Sequence, residues 1–198
     1  MSKKGETRKP RADGERNRQR LLEIARAAFA EKGASASLEE IARVAGLGIG
    51  TLYRHFPTRE ALIDAMYLNE GSLLANAAER LSEELPPIKA LHEWLLLFVG
   101  YLANKQILAE VLKCMSPDSD TGSAFFLSGE KLLAALAQLL NQARQNGDVA
   151  ADVEPLDMLS AIAGVASFGS ENGWESSARR IVDILVAGLR NEVGICSD

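Results

Sequence analysis

Residues 37–62 carry the pattern that most restricts what this chain can become: two short capped helices joined by a glycine turn, then the start of a third. Ser37 with Glu40 three places on is a capping box, in which each side chain satisfies the other residue's orphan backbone N–H at a helix start. Leu38, Ile41, Ala42 and Ala45 fall on one helical face. Gly46 stands where a left-handed residue ends the helix. After Leu47 the chain reads Gly48-Ile49-Gly50-Thr51-Leu52-Tyr53-Arg54-His55-Phe56 and meets Pro57. Thr58 is placed to cap the next helix, with Glu60 in its first turn, where a carboxylate is favoured. A short helix, a tight turn and a second short helix tipped with hydroxyl and cationic groups make a helix-turn-helix, and such a helix fits a DNA major groove. Leu47 and Leu52 are expected to face the core of this module.

These residues carry a resemblance. Ser37-Leu38-Glu39-Glu40-Ile41-Ala42, Ala45-Gly46-Leu47, Gly50-Thr51-Leu52-Tyr53-Arg54-His55-Phe56 and Arg59-Glu60-Ala61-Leu62 resemble the DNA-binding half of the TetR family of bacterial transcriptional regulators. The match spans residues 16–66, with Gly48 where the family often has Ser and Arg59 where it usually has Lys. The resemblance implies that residues 49–56 form the recognition helix. It also implies that Ser37, Gly48, Ile49, Gly50, Thr51, Tyr53, Arg54, His55 and Arg59 make up the DNA-binding set. By chemistry, Thr51, Tyr53, His55 and Arg59 suit phosphates, which fix register without reading sequence. Ile49, Gly50 and Arg54 are placed for base edges, and a bidentate Arg–guanine contact discriminates by about 1–3 kcal/mol.

Charge agrees with this division. The whole chain is −5, but residues 1–60 hold 13 Lys/Arg against 8 Asp/Glu, and residues 61–198 hold 9 against 19. A net +5 beside a net −10 means that the first third alone suits a polyanion. Residues 1–15 are expected to be a flexible basic arm; Lys3, Lys4, Arg8, Lys9 and Arg11 either track DNA or form a solvated tail.

The hydrophobic fraction is 47% and the aromatic fraction only 6%, with Ala and Leu abundant and no strand-like alternation, so an all-α chain is expected. No signal peptide is evident, and residues 94–103, the longest apolar run, are about half of a membrane span; a soluble, cytoplasmic protein is expected. Cys114 and Cys196 stand alone, read as ordinary thiols in a reducing compartment. His55 and His92 belong to no metal-binding or nucleophile motif, there is no Walker loop, and Gly46-x-Gly48-x-Gly50 follows no strand. Neither an enzyme nor a cofactor or metal is expected.

Helices are expected at residues 16–32, at 58–85 (ended by Pro86-Pro87), at 88–104, at 106–115, at 123–145, at 157–169 and at 174–191, with a loop at 116–122. The domains are expected to be a helix-turn-helix domain over 16–62 and a helical effector-binding and dimerisation domain over 63–198. The resemblance implies a homodimer through the last two helices. Ile181, Val182, Ile184, Leu185, Val186 and Leu189 form a stripe too wide for one buried face, and an excess apolar face calls for a partner. It further implies a pocket for a small hydrophobic effector, with His92, Trp94, Phe98, Tyr101, Met115, Phe125 and Phe126 as candidates that would serve equally as plain core. The function expected is a dimeric, ligand-responsive repressor acting on a pseudo-palindromic double-stranded DNA operator. The rivals are an activator of the same fold and a helical interaction or scaffold protein.

Overall fold

The computed structural model describes residues 10–115, 122–168 and 173–190, with backbone alone for residues 10–11, 104–115, 122–128 and 167–168. Among the described residues there are eight α-helices: α1 (Pro10–Lys32), α2 (Leu38–Val44), α3 (Ile49–His55), α4 (Arg59–Glu84), α5 (Pro87–Met115), α6 (Gly122–Gln145), α7 (Pro155–Phe168) and α8 (Trp174–Leu189). A 3-10 turn, Gly33–Ser35, follows α1. No strand occurs among the described residues beyond one isolated bridge between Val149 and Arg190, so the chain is all-α as expected.

Two compact units are formed. The described residues up to Met66, with those from Ile107 to Met115, make the first; Tyr67–Gln106 and the described residues from Gly122 onward make the second. Part of α5 belongs with the N-terminal unit. Two helices differ from expectation. α1 starts at Pro10 within the stretch read as a flexible arm, because Pro suits a first helical position and Asp13 lies in its first turn. α5 runs unbroken through the break expected at residue 105; Ala103-Asn104-Lys105-Gln106 contains no Gly or Pro to end a helix. The expected loop at 116–122 lies, except for Gly122, outside the described residues.

In the first unit α2 and α3 pack on each other and both pack on α1. Leu21, Leu22, Ala25 and Phe29 of α1, Ile41 and Ala42 of α2, and Leu52 and Phe56 at α3 are all buried, and with Leu62 and Ile63 of α4 they make a small dense core. Each large side chain among them contributes about 1.5–3 kcal/mol of burial. Leu52 is fully buried as expected, whereas Leu47 is only half-buried.

The stops are where the sequence put them. At Gly46 (φ +70°) the Leu47 N–H donates to the Ala42 carbonyl at 2.9 Å and the Gly46 N–H to that of Arg43 at 3.0 Å, a Schellman closure. Pro87 starts α5 directly after Pro86, whose carbonyl accepts the N–H groups of Lys89 and Ala90 at 2.9 Å.

The second unit buries a continuous core from five helices, including Leu74 and Ala78 (α4), Leu91 and Leu95 (α5), Leu136 and Leu139 (α6), Met158 and Ile162 (α7) and Ala178 and Val182 (α8). Trp94 is fully buried there, and its indole N–H donates to the Leu74 carbonyl at 2.8 Å, which satisfies the ring's one polar atom.

Gly46 gives this fold a simple test. A Cβ there meets only an Arg20 nitrogen at 4.0 Å, so Gly46→Ala adds no clash but forces an L-residue into the left-handed region. A loss of about 1–2 kcal/mol is expected, read as a lower urea midpoint.

Candidate nucleic-acid interface

The interface is built from caps upward. Ser37 Oγ accepts the Glu40 N–H at 3.2 Å, completing half of the expected capping box. The other half is replaced. Glu40 turns its carboxylate to Lys32 Nζ at 2.8 Å, and Ser37 gives its hydroxyl hydrogen to Glu39 at 2.8 Å. The hydrogen bond to Lys32, with that cation's charge, holds the Glu40 carboxyl below its ordinary value; Glu39 is lowered first by a backbone hydrogen bond and then by Ser37. Ser37, taken as a DNA-binding candidate, thus has its hydroxyl committed to the start of α2.

Gly48 is the N-cap of α3, at φ −73° and ψ 147°, and supplies no side-chain cap. Its carbonyl accepts the N–H groups of Thr51 at 2.8 Å and Leu52 at 3.3 Å. Gly48 and Gly50 are both exposed, and a Cβ at either meets nothing within 4 Å, so the start of α3 is bare backbone open to a close approach.

α3 buries one residue, Leu52, and offers the rest. Ile49 is 36% and Tyr53 45% exposed, Arg54 is exposed, and Thr51 is half-buried. Tyr53 and Arg54 have no hydrogen-bond or ion-pair partner for their side chains among the described residues, so both tips are free to bind. His55 is half-buried, its ring 6.1 Å from that of Phe56 and tilted by 45°. The structure therefore brings Gly48, Ile49, Gly50, Thr51, Tyr53, Arg54 and His55 together on one seven-residue helix and its cap.

Arg59, expected to serve a phosphate, makes contacts within its own unit. Its guanidinium donates from Nη1 to the Ala36 carbonyl at 2.7 Å and from Nη2 to the Ala34 carbonyl at 2.8 Å, and stacks 4.9 Å from the centre of the Phe29 ring. A second cation missed in the sequence does similar work. Arg18 of α1 lies over Phe56, 5.3 Å from its centroid, and so braces the residue that ends α3. No local pattern ties positions 18 and 56, and only the folded unit reveals the pair.

The pocket candidates separate. Trp94, Phe98 and Tyr101 are buried and stacked in sequence, with 6.1 Å between successive ring centroids, inside the core of the second unit. His92 stands apart from that column: its Nε2 is 2.8 Å from the Asp183 carboxylate of α8, an inter-helix link rather than a free polar contact. The side chains of Met115, Phe125 and Phe126 lie outside the described residues. On α8, Val182, Val186 and Leu189 are buried, Ile181 and Leu185 half-buried and Ile184 exposed, so the wide stripe does extend beyond one buried face.

A capped helix-turn-helix in an all-α chain, with polar tips on its second helix, defines a DNA-binding transcriptional regulator. Comparison with known proteins gives the family. Residues 21–66 match the model for bacterial regulatory proteins of the tetR family, and residues 86–191 that for the SbtR-like transcriptional regulator C-terminal domain. A relative from Escherichia coli (strain K12), named as probable acrEF/envCD operon repressor, is 30% identical over 176 residues, covering 84% of this chain and 80% of its own. A TetR transcriptional regulator from Streptomyces coelicolor is 38% identical with a TM-score of 0.77, over 89% of this chain and 99% of its own. A TetR regulator from Mycobacterium vanbaalenii is 33% identical with a TM-score of 0.71, over 91% and 99%. The chain belongs to the TetR family of transcriptional regulators, which are not enzymes. Among the described residues no helix is long and apolar enough to cross a membrane.

The carboxylates at the helix starts make stability depend on acid. Glu39, Glu40 and Glu60 are all lowered in the fold, so their contribution is complete above the ordinary value of 4.5 and is lost as pH falls through the folded values. The melting temperature should fall as pH drops below about 4.5, and Glu40→Gln should lower it slightly at pH 7 while flattening that acid decline.

Proposed function

We propose that the chain is a cytoplasmic repressor that binds a pseudo-palindromic operator as a homodimer and leaves it when a small apolar molecule occupies its C-terminal part. The observation that carries this reading is the pair of free side chains, Tyr53 and Arg54, on a short helix whose opposite face is pinned by fully buried Leu52. Arg54 supplies the fork that matches guanine O6 and N7, and Ile49 gives apolar contact to a thymine methyl. Thr51, Tyr53 and His55 serve phosphates, and the glycines at 48 and 50 admit the backbone to the groove. The name of the Escherichia coli relative supports repression over activation.

A two-fold partner is favoured by the outer faces of α7 and α8. Leu156 is 58% and Ile184 64% exposed, while Ala161, Ala163 and Gly164 leave α7 smooth enough for close helix approach. Two copies related by a dyad would set their recognition helices about 34–36 Å apart, or a multiple of that, to match half-sites on one side of the duplex. The aromatic column of Trp94, Phe98 and Tyr101 supports an apolar effector site beside it. An effector acts only through its differential affinity for the two states, typically about 1–3 kcal/mol.

Two measurements test this. Arg54→Ala should change which base is preferred at one position per half-site, with about 1–3 kcal/mol of discrimination lost, whereas Tyr53→Ala should weaken all sequences alike. Identical preferences and affinities in both variants would contradict it. Sedimentation at micromolar concentration should show a dimer, and Ile184→Glu should shift it toward monomer; a wild-type monomer would remove the two-fold operator from the reading.

A further inference from the structure

We propose that Arg59 is a positioning residue for DNA binding: it fastens the start of α4 to the turn between α1 and α2, and so sets the pose of the α2–α3 pair rather than neutralising a DNA phosphate. This rests on the DNA-binding reading above. Arg59 is the first residue of α4, yet its fork closes on two carbonyls more than 20 positions earlier, Ala36 at 2.7 Å and Ala34 at 2.8 Å. Those carbonyls straddle the exit from the 3-10 turn, one residue before Ser37, the cap that starts α2. The guanidinium plane also lies 4.9 Å over Phe29, a fully buried ring near the end of α1. One side chain therefore touches α1, the turn and α4, and its charge also reaches Glu39 in the first turn of α2.

The Arg59 Nε is buried and has no hydrogen-bond partner among the described residues. That cost is tolerable only if the two outer bonds and the stacking outweigh it. The rest of the α4 start is equally turned to structure. Thr58 Oγ1 accepts the Ala61 N–H at 3.1 Å, and Glu60 is lowered by a backbone hydrogen bond and by Thr58, which leaves a carboxylate where a phosphate contact would want none. Lys has the charge but not the geometry. Its ammonium is a compact point charge without the planar fork that bonds two carbonyls and lies flat on a ring.

The experiment compares Arg59→Lys and Arg59→Gln with wild type on a DNA site enriched from random sequence by the full chain. Binding is titrated from about 50 to 200 mM salt at a temperature where circular dichroism shows each protein folded. Both variants should bind about tenfold more weakly at every salt concentration, with the wild-type salt slope, because a pose and not a phosphate contact has been lost. Two results would overturn the proposal. In one, Arg59→Lys binds like wild type and Arg59→Gln shows a slope shallower by about 1, which is a phosphate contact. In the other, both variants bind with wild-type affinity and only melt earlier, which is support of the fold alone. Should Arg59→Gln fail to fold, Arg59→Lys carries the comparison, since only the positioning role predicts its loss of affinity. If the wild type enriches no DNA, the reading beneath the proposal fails, and the proposal with it.

Discussion

A helix of seven residues cannot hold itself together in water, because nucleation costs more than so few turns return. α3 is such a helix, and it is the one that offers Tyr53 and Arg54. Its shape is therefore borrowed. Leu52 sinks one face into the core of the first unit, Phe56 closes its end beneath Arg18, and the Schellman turn at Gly46 fixes the angle at which the chain leaves α2. Everything the polar side of α3 does depends on that apolar anchoring.

Around this anchor, cations have two kinds of work. Arg54 is exposed and unpaired among the described residues, and so is available to a partner. Lys32, Arg18 and Arg59 are spent inside the unit, on a carboxylate, a ring, and two carbonyls with a second ring. The positive charge of the N-terminal third thus also makes contacts within its own unit. Part of it holds together a unit whose own apolar core is small. The second unit solves the opposite problem. It has apolar surface to spare, burying a five-helix core and still leaving Ile184 and Leu156 in the open.

The helix-turn-helix was legible in the sequence because its signals are local: a Ser cap, a Gly stop, a Thr cap, each within a few residues of what it controls. The same locality made the tips of α3 readable as one group. Contacts that close over long separations were not legible. Arg59 reads from the sequence as a cation for phosphates, and only folding brings the Ala34 and Ala36 carbonyls to it; His92 reads as a pocket residue, and only folding sets Asp183 of α8 beside it, 91 positions along the chain. Glu40 shows the limit even at short range, since Lys32 outcompetes the capping-box bond that its spacing allows. The continuity of α5 was readable and missed: nothing between residues 103 and 106 breaks a helix.

The most direct measurement is methylation protection of guanine N7, which lies in the major groove, on DNA that the full chain enriches from random sequence. Protection in two half-sites related by a dyad and about one helical turn apart, with the protected guanine of each exposed again in Arg54→Ala, is the predicted result. Binding that leaves every guanine N7 open to methylation would contradict a recognition helix seated in the major groove.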